Sequence, residues 1–415
     1  MPRREFIKAA GVTTAALTAG LIGSSAQGQA GRSFRVGLIG CGGRGTGAAG
    51  NHLSACPDNR IVALADLFED RLRGCREYLQ NDRGQEIADD HCFLGFDAYD
   101  KLCASDVDIV LMATPPYFRP IHLRAAIEAG RHVFMEKPVA VDPWGCREII
   151  AAGDLAKEQG LAIVAGTQRR HQKPYVETYA QVQQGLLGEI QETRAYWVGG
   201  PLGGWDQPSE LRAEQQIRNW FHYTWLSGDH MVEQHVHNLD VCNWFTGMHP
   251  VSALGMGYRA LKTRGDGYDF FAVDYEYPNG AHMMSLCRQI AGCDGNVSEY
   301  IIGSQGKTHC WGEVWDLAGQ SVWKMEGDGG RDAYEQEHAD LVQSIVDGEP
   351  LNEAQGVAES TLTAIMGRES AYTGKRIAWD QILNAEWRLG PRPEDLQLDM
   401  ELPVDPAPQP GRFQR

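Results

Sequence analysis

The 415-residue chain holds no uninterrupted apolar run of the ~18 residues that a membrane-spanning helix needs, so no such span is expected. Basic residues are in deficit, with 38 Lys and Arg against 55 Asp and Glu and a net charge of −17. A surface that acidic repels polyphosphate, which makes nucleic acid and anionic membrane poor partners. The ten cysteines show no Cys-x-x-Cys and no paired spacing. They therefore outline neither a zinc site nor a disulfide framework, and read mostly as small buried hydrophobes, with one disulfide left open. Glycine is plentiful instead. Its 48 occurrences have no period, which excludes collagen and points to turns, helix ends and close backbone approaches.

The first thirty residues read as an address. Arg3-Arg4-Glu5-Phe6-Ile7-Lys8 opens them, a mildly apolar stretch runs from Ala9 to Gly23, and Ser24 to Ala30 is rich in small residues. This is the pattern of a twin-arginine (Tat) signal, with cleavage expected after Ala26 or Ala30. The expected location is the periplasm, reached by a route that carries folded cargo. Removing the signal leaves the remainder more acidic still.

Beyond it, an apolar strand from Phe34 runs into Gly40-Cys41-Gly42-Gly43-Arg44-Gly45, a helix follows to Ala55, and a second strand (60–65) ends at Asp66. Gly40 permits the tight turn, Gly42 lets a pyrophosphate approach the backbone, and Gly45 permits close helix packing. The helix N-terminus attracts phosphate. Asp66 is placed to accept a ribose 2′-hydroxyl and to repel a 2′-phosphate, which favours NAD over NADP. Strand and helix then alternate. Residues 107–113 are broken by Thr114-Pro115-Pro116, a helix (120–129) carries His122, and His132–Met135 ends in Glu136-Lys137-Pro138. A helix from Pro143 and a strand at 161–165 complete the pattern. It predicts an α/β fold whose first domain, residues 31–165, is a doubly wound parallel sheet with ligands at the carboxyl ends of its strands.

In residues 166–386 consecutive strands (191–199, 251–260, 270–277, 281–290, 299–302, 307–311) predict an α+β domain with a large, mainly antiparallel sheet. Between them a helix is expected over 229–245, with Val232, Val236 and Leu239 as its core stripe. Glu233, His237 and Asp240 share an adjacent stripe, so Glu233 at i−4 is expected to orient His237 for acid–base work. His230, Glu233, His235 and His237 are the metal alternative. On a helix His235 and His237 diverge, and no metal is expected. Amphipathic helices at 332–347 and 354–372 close the domain. The proline-rich residues 387–415 read as an extended arm, on a neighbouring surface or subunit, or as a loose tail.

Gly40-x-Gly42-x-x-Gly45, Thr114-Pro115 followed by His122, and above all Glu136-Lys137-Pro138 resemble the Gfo/Idh/MocA oxidoreductases, over roughly residues 34–385. The resemblance implies an NAD site built from Gly40, Gly42, Gly43, Arg44, Gly45, Asp66, Thr114, Pro115, His122, Glu136 and Lys137. It places Lys137 beside nicotinamide and the substrate hydroxyl, and it makes the open sheet the interface of a dimer or tetramer. The family's Asp-x-x-x-His-x-x-Asp pattern is present with Glu233 in place of the first Asp. Lys137, His237, Glu233 and Asp240 are the catalytic candidates. Arg170, Tyr175, Trp220 and Trp225 are candidates for contact with a carbohydrate or polyol, flat aromatic faces suiting sugar C–H surfaces. Two activities compete. One is oxidation of a sugar, polyol or glycoside hydroxyl with retained NAD. The other is a glycoside hydrolase or lyase that works through transient C3 oxidation, elimination and re-reduction. A non-catalytic sugar or cofactor binder is a third reading, against which the intact Lys137 and His237 speak.

Overall fold

The computed structural model describes residues 33–414, so the signal-like segment lies outside the described residues. Six short apolar strands form one parallel sheet: β1 (Arg35–Ile39), β2 (Arg60–Asp66), β3 (Cys92–Leu94), β4 (Ile109–Met112), β5 (His132–Met135) and β6 (Ile163–Ala165), in the order β3-β2-β1-β4-β5-β6. Strands such as β4, buried along its whole length, are covered on both faces by helices, which is why they read as continuous apolar runs. Helix α1 (Gly43–Ala55) leaves the glycine turn, and α2 (Glu69–Arg83) follows β2. The short β3 escaped the sequence reading.

The remaining strands are β7 (Ile190–Gly199), β8 (Ser252–Tyr258), β9 (Phe270–Glu276), β10 (His282–Gln289), β11 (Asn296–Gly303), β12 (Gly306–Thr308), β13 (Glu313–Asp316), β14 (Ser321–Lys324) and β15 (Ile377–Ala378). They form one sheet in the order β14-β13-β12-β11-β7-β10-β9-β8-β15, antiparallel except for the central β7–β10 pair. Helices Val236–Thr246 and Ala354–Thr373 cover its inner face. The late helices pack on the first domain. Ala333–Val346 packs on α1, and Glu353 Oε2 accepts the Ala165 amide at 2.8 Å.

One expectation needs correction. The helix expected over 229–245 is broken into His230–Glu233 and Val236–Thr246. Neither glycine nor proline marks the break. Tertiary bonds hold it instead: His235 Nε2 meets Ser285 Oγ at 2.7 Å, and Gln289 Nε2 donates to Gln234 Oε1 at 2.7 Å, both partners lying on β10. The C-terminal arm lies on its own chain. The Ala213 amide donates to the Met400 carbonyl at 2.9 Å and the Leu402 amide to the Leu211 carbonyl at 2.6 Å. All ten cysteines are free thiols. No described helix is long and apolar enough to cross a membrane.

Candidate active site

The nucleotide end is a cleft of about 700 Å³ at the carboxyl ends of β1, β2 and β4, lined by Gly40, Gly42, Asp66, Arg71, Thr114 and Trp220 among others. Gly40 has φ +94°, and a Cβ there would sit 2.8 Å from the Ala113 and Thr114 backbone. A Cβ on Gly45 would strike the Gly40 carbonyl at 1.7 Å. Gly43 faces open space. This cradle fits a pyrophosphate and tolerates no side chain at its two tight positions. Asp66 accepts the Cys41 amide at 2.6 Å and the Phe68 amide at 2.8 Å. Burial pushes its pKa up and those two amides hold it back, so a carboxylate stands where a ribose would lie. Pro115 and His122 also line the cleft. His122 faces Thr114 Oγ1 at 3.2 Å, and burial pushes its pKa down to about 3, leaving a neutral ring. Arg44 Nε pairs with the buried Glu136 at 2.5 Å, with its guanidinium 5.0 Å from the Tyr334 ring.

The catalytic pole begins at the end of β5. Lys137 Nζ donates to both the carbonyl and the carboxylate of Glu233, the latter at 2.9 Å. Glu233 therefore holds Lys137 and not His237, because the helix break turns the two residues apart. The His237 ring stacks on Trp197 of β7 with centroids 5.8 Å apart, and its Nδ1 is buried without a partner. Burial, with the charges of Lys137 and Arg169, pushes its pKa well below the usual histidine range, so the ring is neutral. Asp240 accepts a bidentate pair from Arg170 at 2.8 Å and the Ser360 hydroxyl at 2.8 Å. This is a buried brace between helices. Tyr175 donates to Glu299 at 2.9 Å.

The two tryptophans chosen from the sequence lie elsewhere. Trp220 roofs the nucleotide cleft, and Trp225 donates to Gln216 at 2.8 Å within the neighbouring aromatic cluster. Trp220 sits on a cap formed by helix Ala213–Arg218 and the turn after it, and Trp225 lies in the short helix Thr224–Ser227 that follows. Arg218 ties that cap to α2 through Asp70 at 3.0 Å and lies 3.8 Å from the Phe68 ring centroid.

The aromatic beside His237 is Trp197, while the exposed Trp311 packs edge-on against Tyr175. The arginine there is Arg169, which pairs with Glu299, and Asn238 donates to the same carboxylate. Sequence reasoning passed over Glu299. Its signal was available, since it is a carboxylate at the same inward parity as buried Ile301 on β11. Among the described residues no group of three or more His, Cys, Asp or Glu is placed to hold a metal ion. His235 turns to Ser285, and His230 lies against the Phe271 ring, 5.2 Å away.

A family model described as "Oxidoreductase family, NAD-binding Rossmann fold" matches residues 34–167, and one described as "GFO/IDH/MocA C-terminal domain" matches residues 175–309. The chain is 26% identical over 204 residues to the 2,7-anhydro-N-acetylneuraminate hydratase of Escherichia coli, covering 48% of this chain and 50% of the relative. It is 25% identical over 296 residues to Glycosyl hydrolase family 109 protein 1 of Bacteroides fragilis, covering 65% and 61%. The matched stretch spans about half the length of the first curated relatives. Among solved structures, the aldose-aldose oxidoreductase from Caulobacter crescentus superposes with a TM-score of 0.66 at 20% identity, over 84% of this chain and 100% of that one. At that identity the likeness shows the fold.

Proposed function

Because this chain belongs to the Gfo/Idh/MocA oxidoreductase family, we propose that it is an NAD-dependent oxidoreductase acting on a hydroxyl of a sugar, polyol or glycoside, with its NAD retained between turnovers. The observation that carries this reading is the pairing at the end of β5. Lys137, fixed by Glu233, lies close enough to the neutral ring of His237 to weigh on its titration. Bound NAD supplies the hydride acceptor. Lys137 has three N–H donors and Glu233 engages two of them, which leaves one for a substrate oxygen. His237 takes the hydroxyl proton as the carbon is oxidised and returns it on reduction. Glu233 positions Lys137. Asp240 acts at one remove, bracing the helix that carries His237 through Arg170 and Ser360.

We place the protein outside the cytoplasm on the strength of its twin-arginine segment. No free NAD pool is expected there, so a redox-neutral cycle with a resident cofactor follows. The cap over the nucleotide cleft, tied down by the arm, supports retention. We also assign the outer face of the nine-stranded sheet, which exposes Leu254, Met256, Tyr258 and Met284, to contact with a second copy.

The glycoside hydrolase and hydratase names of two relatives favour a second reading. In it the transient ketone acidifies the neighbouring C–H, His237 or Lys137 removes that proton, and elimination replaces net oxidation. Two measurements decide. Denaturing the purified protein is expected to release NAD(H), and an empty site of weak affinity rules out retention. With p-nitrophenyl glycosides and no added acceptor, sustained phenol release selects the hydrolase. Turnover that requires a second carbonyl substrate selects the oxidoreductase.

A further inference from the structure

Four cations around the catalytic pole are each matched by a buried carboxylate: Lys137 by Glu233, Arg169 by Glu299, Arg170 by Asp240 and Arg44 by Glu136. Arg119, buried behind the Lys137–Pro138 peptide, donates to the Pro138 carbonyl. Lys137 and Arg169 are the two whose charges bear on the His237 ring. Arg169 is the less used of them. Among the described residues one Nη1 contact to Glu299 is its only side-chain hydrogen bond, and neither Nε nor Nη2 is among the sealed, unpartnered atoms. Its guanidinium lies 5.9 Å from the Tyr175 ring and 6.0 Å from the Trp197 ring. Glu299 is fully buried and takes donors from Arg169, Asn238 and Tyr175, so it is a built anchor with no free oxygen for a ligand.

We propose that Arg169, held by Glu299 against Trp197, is a specificity-determining residue that donates to a hydroxyl of an uncharged sugar ring lying on Trp197, and that Glu299 excludes acidic sugars by cancelling the Arg169 charge. The proposal rests on the oxidoreductase reading and narrows its substrate class. The physical argument is charge balance. A uronate or sialate brings one more buried negative charge to a wall where Lys137, Arg169, Arg170 and Arg44 each already have a carboxylate partner, and an unpaired buried charge is costly. A neutral ring needs only hydrogen bonds from the free guanidinium N–H groups, with its C–H face on the indole.

The test compares neutral hexoses with the matching hexuronates, and methyl glycosides with methyl glycosiduronates. The readout is reduction of the bound nicotinamide, followed by absorbance in the holoenzyme. The wild-type protein is expected to favour the neutral member of each pair by about tenfold or more in kcat/KM. Glu299→Gln removes the charge at nearly constant shape and is expected to shrink or invert that ratio, because the freed guanidinium can then pair with a carboxylate. Arg169→Gln is expected to raise KM for neutral sugars more than it lowers kcat, and Arg169→Lys to restore part of the loss. Bound NAD content serves as the folding control, and the Arg169 variants carry the test if Glu299→Gln does not fold.

Uronates turned over as well as hexoses by the wild-type protein overturn the proposal. So does an unchanged ratio in NAD-replete Glu299→Gln, or an unchanged KM in Arg169→Gln. Failure of every sugar of either charge to reduce the nicotinamide overturns the oxidoreductase reading itself, and this one with it.

Discussion

Glu233 engages two of the three ammonium protons of Lys137, so the lysine reaches its substrate with one donor aimed and little freedom to stray. Lys137→Ala is expected to lower turnover by on the order of 10²–10⁴-fold while the purified protein keeps its NAD content. Unchanged steady-state rates would refute the role. At the other end of the site, Asp66→Asn keeps an oxygen for the Cys41 amide and removes the charge. NAD affinity is expected to fall by roughly tenfold, and discrimination against NADP to narrow, since a 2′-phosphate no longer meets a carboxylate's repulsion or competes with it for Arg71 in the same wall. Titrating both nucleotides against the NAD-stripped protein checks this. At this scale the sequence was most legible where backbone chemistry leaves one choice, as at Gly40 and Gly45. It was least legible where pairing depends on direction. Glu233 and His237 are four residues apart, yet Ser285 and Gln289 on a distant strand hold the break that sends Glu233 to Lys137. Arg169 and Arg170 are neighbours, and only the fold decides which one bears on the His237 ring and which one braces Asp240.

Among elements, the parallel sheet and its strand ends could be read because buried strands and glycine-stopped helices carry strong local signals. The cap over 211–222 could not, because its helix is a single short turn whose stability comes from tertiary contacts. Met400 and Leu402 of the arm bond to its backbone, the Leu389 amide donates to Asp142 at 2.9 Å, and Tyr117 bonds to the Pro391 carbonyl. Truncation after Leu389 is therefore expected to free the cap. NAD should dissociate faster, measured by chase with excess nucleotide, and thermal unfolding should fall by roughly 5 °C or more. An unaltered off-rate would show that the cap does not retain the cofactor.

At the level of the whole molecule, the buried histidines fix how stability responds to pH. His52, His122, His230, His235, His237 and His338 are all pushed down by burial, His52 to about 4 and His122 and His235 to about 3. The unfolded chain binds protons on these rings as pH falls through about 6.5 while the folded chain refuses them, so stability is expected to drop steeply on acidification below that point. His171 behaves oppositely. Burial lowers its pKa, but Glu353 and Asp340 outweigh it and raise the pKa to about 10. Its contribution is complete below about 6.5 and fades as pH rises toward 10. Melting temperature across pH 4–11 is expected to show a maximum near pH 6.5 that falls on both sides, and a flat acid limb would contradict the histidine account. The arm has one more consequence, and it concerns time. The floor of the nucleotide cleft, from β1 through β4, leaves the ribosome long before the strap that holds its roof. In chain order the floor precedes its cover, so loading of the dinucleotide is expected to come before the last contacts that lock it in.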